Sequence, residues 1–161
     1  MSTVIDALAG LKAAFLTIPP PTGSLGSRVW AWPADRSSVS YATFPFILCA
    51  QVLNENGVWR EETKGGGGSH VWPAEVLVCL NNETVRDDVS ADDEAAAQAW
   101  LLAIAGIFFG NRSLGGTALD IGPPDSLLTT QIGNMGWFPT RTFWGVYCRT
   151  RVTQYHNLPT L

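Results

Sequence analysis

The stretch from Ser90 to Thr117 constrains the fold of this chain more than any other. It opens with Ser90 and Asp93 at capping-box spacing, and the acidic residues after Ser90 place negative charge where a helix dipole is positive. From residue 99 to residue 109 no polar side chain occurs, and Gly110 then offers a left-handed stop. A membrane span needs about 20 apolar residues, so this run is too short for one. The pattern predicts a helix that is covered on all sides, by the chain's own sheet or by another chain.

Length and composition predict one domain, residues 1–161, with surplus apolar surface. Hydrophobic residues make up 46% of the 161 and charged residues 15%, and there are seven Trp. Self-association would cover that surplus, and a well-packed monomer is the alternative that composition leaves open. The net charge of −4 provides no long-range attraction for nucleic acid.

Cysteines and histidines do not form a recognisable reactive site in the sequence. Cys49, Cys79 and Cys148 are an odd number in apolar, strand-like runs, which predicts reduced core residues of a cytosolic product. His70 lies beside four glycines and His156 in the tail, both poor positions for fixing an imidazole, so we interpret both as surface histidines. The glycine run lacks the lysine of a P-loop. We therefore expect no catalytic residue, no metal and no cofactor.

The order of the predicted elements indicates an α+β fold. Residues 3–17 carry an amphipathic helical stripe with Asp6 inside it and no basic start, so a helix is predicted and a signal peptide is not. Residues 40–53 and 71–81 predict two long antiparallel strands, and the polar, glycine-rich residues 58–69 between them predict a mobile tip. Shorter extended pieces are predicted at residues 28–32, 118–121 and 127–132.

The final strand has the clearest alternation in the chain. Its apolar residues predict one face, and its aromatic and basic residues predict the other. We therefore expect a largely antiparallel or mixed sheet with two main helices packed on one face and a long β-hairpin extension. The first set is Trp144, Val146, Cys148 and Val152, and the second is Tyr147, Arg149, Arg151 and Thr153.

Two stretches, residues 98–117 and 131–152, resemble the tail terminators (tail-completion or minor tail proteins) of long-tailed bacteriophages. The resemblance rests on the N-terminal amphipathic helix, the long hairpin with a variable tip and the capped apolar helix that runs into N-R-S-L-G-G-T. It also rests on the late strand WGVYCRTRVT after the segment Ile132 to Trp137. The resemblance implies an α/β protomer that closes as a hexameric ring, caps the tail tube, ends tube polymerisation and provides the surface for head–tail joining.

The resemblance also implies partners and contact residues. The partners are further copies of the chain in a homohexamer, the major tail tube protein, a head–tail connector protein and DNA that passes through the lumen without sequence-specific binding. No membrane is implied, and the location is the neck region of the virion tail after assembly in the host cytoplasm. Arg149 and Arg151 are expected near the lumen or a subunit boundary, and Trp100, Phe108 and Phe109 in the core or in subunit packing. The expected partner-contacting tip comprises Asn54, Glu55, Asn56, Gly57, Trp59, Arg60, Glu61, Glu62, Lys64 and His70.

The resemblance predicts that shortening residues 61–69 leaves the fold and the ring intact but weakens tube capping. Three other interpretations stay open. Another head–tail connector, an adaptor or a stopper, would share small size and ring assembly but leave tube length unregulated. A monomeric binding module would need exposed rings at Trp30, Trp32, Trp59 and Trp72. An enzyme with a hidden Cys–His site would need a cysteine that reacts quickly with thiol reagents.

Overall fold

A computed structural model describes residues 3–17, 19–21, 24–52, 57–63, 67–110, 113, 120–121, 128–137 and 140–157. Helix α1 spans Val4–Thr17 and helix α2 spans Ala91–Gly110. A single turn of 3-10 helix at Arg86–Asp88 precedes α2. The strands, in chain order, are β1 (Val29–Ala31), β2 (Phe46–Gln51), β3 (Val58–Thr63), β4 (Gly67–Asn82), β5 (Asp120–Ile121), β6 (Thr129–Trp137) and β7 (Arg141–Asn157).

Both helices begin with the same reciprocal cap. The amide of Asp93 donates to Ser90 Oγ at 3.1 Å, and the amide of Ser90 donates to Asp93 Oδ2 at 3.3 Å. In α1, Thr3 and Asp6 exchange the equivalent bonds at 2.6 and 3.2 Å. Each cap satisfies backbone amides that have no partner inside the helix. The predicted capping box at Ser90 is therefore confirmed.

Two long strands, β4 and β7, form the centre of the sheet. They pair antiparallel along almost their whole length, from Gly67 opposite Asn157 to Asn82 opposite Phe143. Along the outer edge of β4, β2 and β3 lie end to end, and along the outer edge of β7, β6 and β5 do the same. In the described chain only β1 pairs in parallel, with β2, so the seven-stranded sheet is mixed.

The helices cover one face of this sheet. Helix α1 lies against β1 and β2, whereas α2 lies against β4 and β7. Trp72 and Trp100 are buried here, and full burial of an apolar side chain of this size contributes roughly 1.5 to 3 kcal/mol. The core between the helices and the sheet, called here the first core, also contains the four apolar side chains of β7 that were predicted to share one face: Trp144, Val146, Cys148 and Val152.

The opposite face of the sheet carries a second core that is mainly aromatic. The connection between β1 and β2, residues 32–45, folds over this face, and Tyr41 stacks on Phe143 with ring centroids 5.7 Å apart. Asp35 holds the connection, because it accepts hydrogen bonds from the Ala31 amide at 2.8 Å and from Lys12 Nζ at 2.7 Å. The aromatic members are Trp30, Trp32, Tyr41, Phe44, Phe46, Trp137, Phe143 and Tyr147.

The expected fold class is confirmed, with three local corrections. Residues 58–63 and 67–69, predicted as a mobile polar tip, are strands that pair with each other. The piece predicted at 127–132 is the longer strand β6, while residues 118 and 119 lie outside the described residues. The predicted coverage of α2 is incomplete within the protomer, because Leu102 and Phe109 are exposed, and coverage of these two side chains by another chain stays a prediction.

Candidate functional site

Three strand ends continue past both cores and form what we call the arm. It consists of β3, residues 67–71 of β4 and residues 153–157 of β7. The first core ends at Trp72 and Val152, and no arm residue whose burial the structure describes belongs to either core. Strand pairing, its own side chains and hydrogen bonds at its base therefore hold the arm.

An aromatic cluster covers one face of the arm. The ring of Trp59 stacks on the imidazole of His70, with centroids 4.4 Å apart and an interplanar angle of 6°. His156 lies 5.3 Å from Trp59 and 6.4 Å from His70. Each of the three side chains comes from a different strand, so the cluster joins β3, β4 and β7 side by side. Trp59 nevertheless remains 53% exposed, which leaves part of its ring open to a partner.

The position of His70 depends on the glycine opposite it. A Cβ on Gly57 would overlap the Nε2 end of the His70 imidazole, so the ring reaches the backbone of the segment before β3 only because residue 57 is glycine. Partial burial, and then the neighbouring His156, hold the pKa of His70 below its usual value. His70 is therefore largely neutral at pH 7, which suits an apolar contact with Trp59.

The opposite face of the arm also carries exposed apolar groups. Val58 lies opposite Val71, and Val71 lies opposite Thr153 on the next strand. Val58 is 53% exposed and Tyr155 is 41% exposed. An arm with exposed aromatic or aliphatic side chains on both faces is suited to binding between two surfaces of another protein. Removing apolar side chains from water is favourable in free energy.

The arm is tied to the helix layer at its base. The Trp72 indole donates to Gln154 Oε1 at 2.8 Å, and Gln154 Nε2 donates to the backbone oxygen of Thr3 at 2.6 Å. Thr3 is also the residue that caps α1. The buried amide of Gln154 thus connects β4, β7 and the start of α1.

The structure brings together part of the expected partner-contacting tip. Trp59 and His70 stack on each other beside Gly57, whereas Arg60, Glu61 and Glu62 are consecutive positions of β3. The other four predicted tip residues lie outside the described residues, so their role stays a prediction: Asn54, Glu55, Asn56 and Lys64.

His156, one of the three rings of the aromatic cluster, was not identified as a contact residue from the sequence. It lies in β7 rather than in a tail after the last strand, whereas Val58 falls inside the predicted tip, residues 58–69. The available signal was the alternation of the last strand, which continues through Tyr155.

Arg149 and Arg151 lie outside the arm, on the sheet face away from the helices. Arg149 is opposite Glu75 and Arg151 is opposite Pro73 in the β4–β7 ladder. Glu75 is half-buried and accepts a hydrogen bond from Tyr147 Oη at 3.1 Å. Burial raises the pKa of Glu75, and the Tyr147 hydrogen bond offsets this only in part.

A second open surface lies on the helices. Among the described residues, the most exposed large apolar side chains are Leu102 (77%) and Phe109 (70%), seven positions apart on one side of α2. Ile5 and Leu16 of α1 are exposed as well. Trp100, Phe108 and Phe109 were predicted to lie in the core or in a subunit contact. Trp100 and Phe108 are buried in the first core, whereas Phe109 is exposed.

The cysteines of the described chain lie inside the two cores, whereas His70 and His156 lie in the arm. All three cysteines are unpaired and buried, and burial raises the pKa of each thiol. In the described ranges, no three His, Cys, Asp or Glu side chains gather as a metal site would require. No helix there is long and apolar enough to span a membrane.

Comparison with known proteins gave no match, either among protein-family models or among curated proteins.

Proposed function

We propose that this chain is a structural virion protein that forms a ring on the tail tube of a long-tailed phage, ends tube polymerisation and provides the surface for head–tail joining. The observation that carries the proposal is the arm, which extends past both cores and presents Val58, Trp59 and Tyr155 to solvent. The resemblance to tail terminators described above supplies the kind of partner.

The arm suits capping because its described strands are already paired with one another in the single chain. The Trp59–His70 stack and the β3–β4–β7 pairing fix its two faces, so binding to a tube ring would cost little conformational entropy. The exposed apolar side chains Val58, Trp59 and Tyr155 supply binding free energy.

Two of the rival functions are disfavoured by burial. A platform of four tryptophans needs exposed rings, but Trp72 and Trp30 are buried and Trp32 packs edge-on against Trp137. A Cys–His enzyme needs an accessible thiol, whereas the three thiols of this chain are in the two cores. An adaptor or stopper remains the rival of the same class and differs in the partner that it binds.

The test is a tube-capping assay with an arm-shortened variant. Arg60 and Ser69 are already cross-strand partners, so replacing residues 61–68 by Asn-Gly joins them through a two-residue hairpin turn. Purified tube protein is polymerised with and without the chain, and tube lengths are measured by electron microscopy. We expect the native chain to shorten the tubes and the shortened variant to lose this effect with unchanged mass and thermal unfolding.

A matched pair of substitutions separates the surface of the arm from its length. Val58→Ser with Trp59→Ser removes exposed apolar groups from the arm, and Val85→Ser removes one elsewhere, where Val85 is 63% exposed. Capping should weaken at least tenfold in the first variant and stay unchanged in the second. Tube lengths that do not respond to the native chain would reject the tail-terminator function, and binding to a portal-side protein instead would favour the adaptor.

A further inference from the structure

The aromatic cluster of the arm brings two imidazoles close together outside both cores. His70 and His156 lie on neighbouring strands, His70 opposite Gln154 and His156 opposite Gly68, and their ring centroids are 6.4 Å apart. The Trp59 indole contacts both rings, at 4.4 Å and 5.3 Å. The separation of the imidazoles is shorter than the screening length of about 8 Å at physiological ionic strength. Two protons taken up here would therefore repel each other.

The contacts of the His70 ring provide no negative charge for a proton. The ring packs on the Trp59 indole, lies near His156 and approaches the backbone of Gly57 so closely that a Cβ there would overlap Nε2. Partial burial, and then His156, lower the pKa of His70. An indole face attracts a cation, so Trp59 partly offsets this cost but leaves the repulsion between the two imidazoles in place.

One acidic position adjoins the two histidines in the strand register. Glu61 of β3 lies opposite Gly68, and Gly68 lies opposite His156. A test of proton uptake by the imidazoles must therefore include a substitution of Glu61. The other charged or titratable residues of the adjoining elements are Arg60 and Glu62 of β3, Arg151 and Tyr155 of β7, Asp120 of β5, and Asp6 of α1, whose carboxylate accepts from the amide and hydroxyl of Thr3.

Strand β3 is held by few contacts apart from this cluster. Among the described strands it pairs only with β4, at residues 67–71, and none of its residues belongs to either core. Trp59 connects β3 through its side chain to both His70 and His156. Segments with few buried apolar contacts open most readily in native proteins, so β3 can separate while both cores stay intact.

We propose that the cluster is a proton-sensitive latch: Trp59 holds β3 on the arm while both imidazoles are neutral, and proton uptake by His70 and His156 releases β3. Imidazoles that have left the cluster bind protons more tightly than imidazoles inside it. The closed arm therefore keeps its stability above about pH 6.5, the ordinary pKa of histidine, and loses stability as the pH falls below it. The proposal does not rest on the tail-terminator function, because the opening is a property of the single chain.

Hydrogen exchange followed by mass spectrometry measures the opening. Between pH 7.5 and pH 5.0, we expect the protection of residues 58–63 and 67–71, corrected for intrinsic exchange rates, to fall at least about threefold. Residues 46–51, which pair with β4 beside the cores, are the internal control and should keep their protection. His156→Gln leaves the stacked pair in place and should reduce the fall, and adding His70→Gln should abolish it.

Proton NMR of the ring hydrogens provides the second measurement. The chain has two histidines, so the single substitutions assign both sets of signals. We expect His156→Gln to raise the titration midpoint of His70. Glu61→Gln, with the exposed Glu83→Gln as its matched control, should leave the pH dependence of arm exchange in place. Three results overturn the proposal: equal protection at both pH values, a fall that persists without the two histidines, or a fall that Glu61→Gln abolishes.

Discussion

The side-chain amide of Gln154 donates a 2.6 Å hydrogen bond to the backbone oxygen of Thr3, which joins the last strand to the first turn of the first helix. Gln154 is fully buried, and its oxygen accepts from the Trp72 indole at 2.8 Å. The Trp72 indole thus finds its partner inside the core, and the Thr3 oxygen, which also accepts a hydrogen bond from the Ala7 amide at 3.0 Å, gains a second donor. Gln154 also sets the point from which the arm extends beyond the helix layer.

Replacing Gln154 by Ala should destabilise the protein by about 2 to 4 kcal/mol, because it leaves the Trp72 indole unsatisfied and opens a cavity. Urea unfolding monitored by tryptophan fluorescence measures the change in the free energy of unfolding. Gln131→Ala, at an exposed position of β6, is the control and should change it by less than about 0.5 kcal/mol. A loss at Gln154 no greater than the control would contradict the structural role of this amide.

Gly145→Ala should be strongly destabilising, whereas Gly136→Ala should be tolerated. A Cβ at residue 145 would overlap the carbonyl oxygen of Val78 and lie 3.1 Å from the Leu80 amide, beside the irregularity in the β4–β7 ladder. At residue 136 it would meet no atom within 4 Å. Since the clash is with backbone, we expect a cost of about 3 kcal/mol or more at residue 145. Thermal unfolding of the two variants checks this, and equal melting temperatures would show that β4 and β7 do not approach so closely.

Thr150→Val should stabilise the protein by about 1 kcal/mol. The Thr150 side chain is 4% exposed, and its hydroxyl has no hydrogen-bond partner among the described residues. Valine has nearly the same shape and removes the buried polar atom, whose desolvation costs about 1 to 3 kcal/mol. Differential scanning calorimetry gives the change, with Thr153→Val, at a half-buried position, as the control. A lower melting temperature for Thr150→Val would indicate that an ordered water satisfies the hydroxyl.

Glu75→Gln should raise stability at neutral pH and reduce its pH dependence. Burial raises the pKa of Glu75 in the folded state, so the folded protein holds this proton more tightly than the unfolded chain does. Stability therefore falls as pH rises from the unfolded pKa through the folded one, and the full penalty is present above the folded pKa. Glutamine keeps an acceptor for Tyr147 Oη without the charge. Urea unfolding between pH 4 and pH 7 would contradict this if both proteins lost stability equally over that range.

The sequence correctly predicted those elements in which the local residue pattern matches the burial of the side chains in the folded chain. Alternation in β7 and the Ser90–Asp93 cap are local signals, and both appear in the structure. Strand β3 has no such signal, since Arg60, Glu61, Glu62 and Thr63 are polar and adjoin glycines. Its conformation comes from pairing with residues 67–71, which is a tertiary constraint.

The candidate site was predicted only in part, for the same reason. Trp59 and His70 were named as tip residues, but their contact with His156 depends on a pairing between β4 and β7 that sequence spacing does not reveal. The exposure of Phe109 was equally hidden. In an uninterrupted apolar run, periodicity does not distinguish the side that faces the sheet from the side that faces solvent.

The central ladder has a consequence for how the chain folds. Strands β4 and β7 pair residues separated along the sequence by between 61 positions (Asn82 and Phe143) and 90 positions (Gly67 and Asn157). Topologies of such high contact order fold slowly, because the entropy of closing a long loop is lost before the contacts form. The β6–β7 hairpin is local, and we expect it to form before β4 docks onto it. During synthesis, β4 therefore leaves the ribosome about sixty residues before β7, its main pairing partner, has been made. Over that period the edge of β4 that pairs with β7 is unpaired and accessible to chaperones.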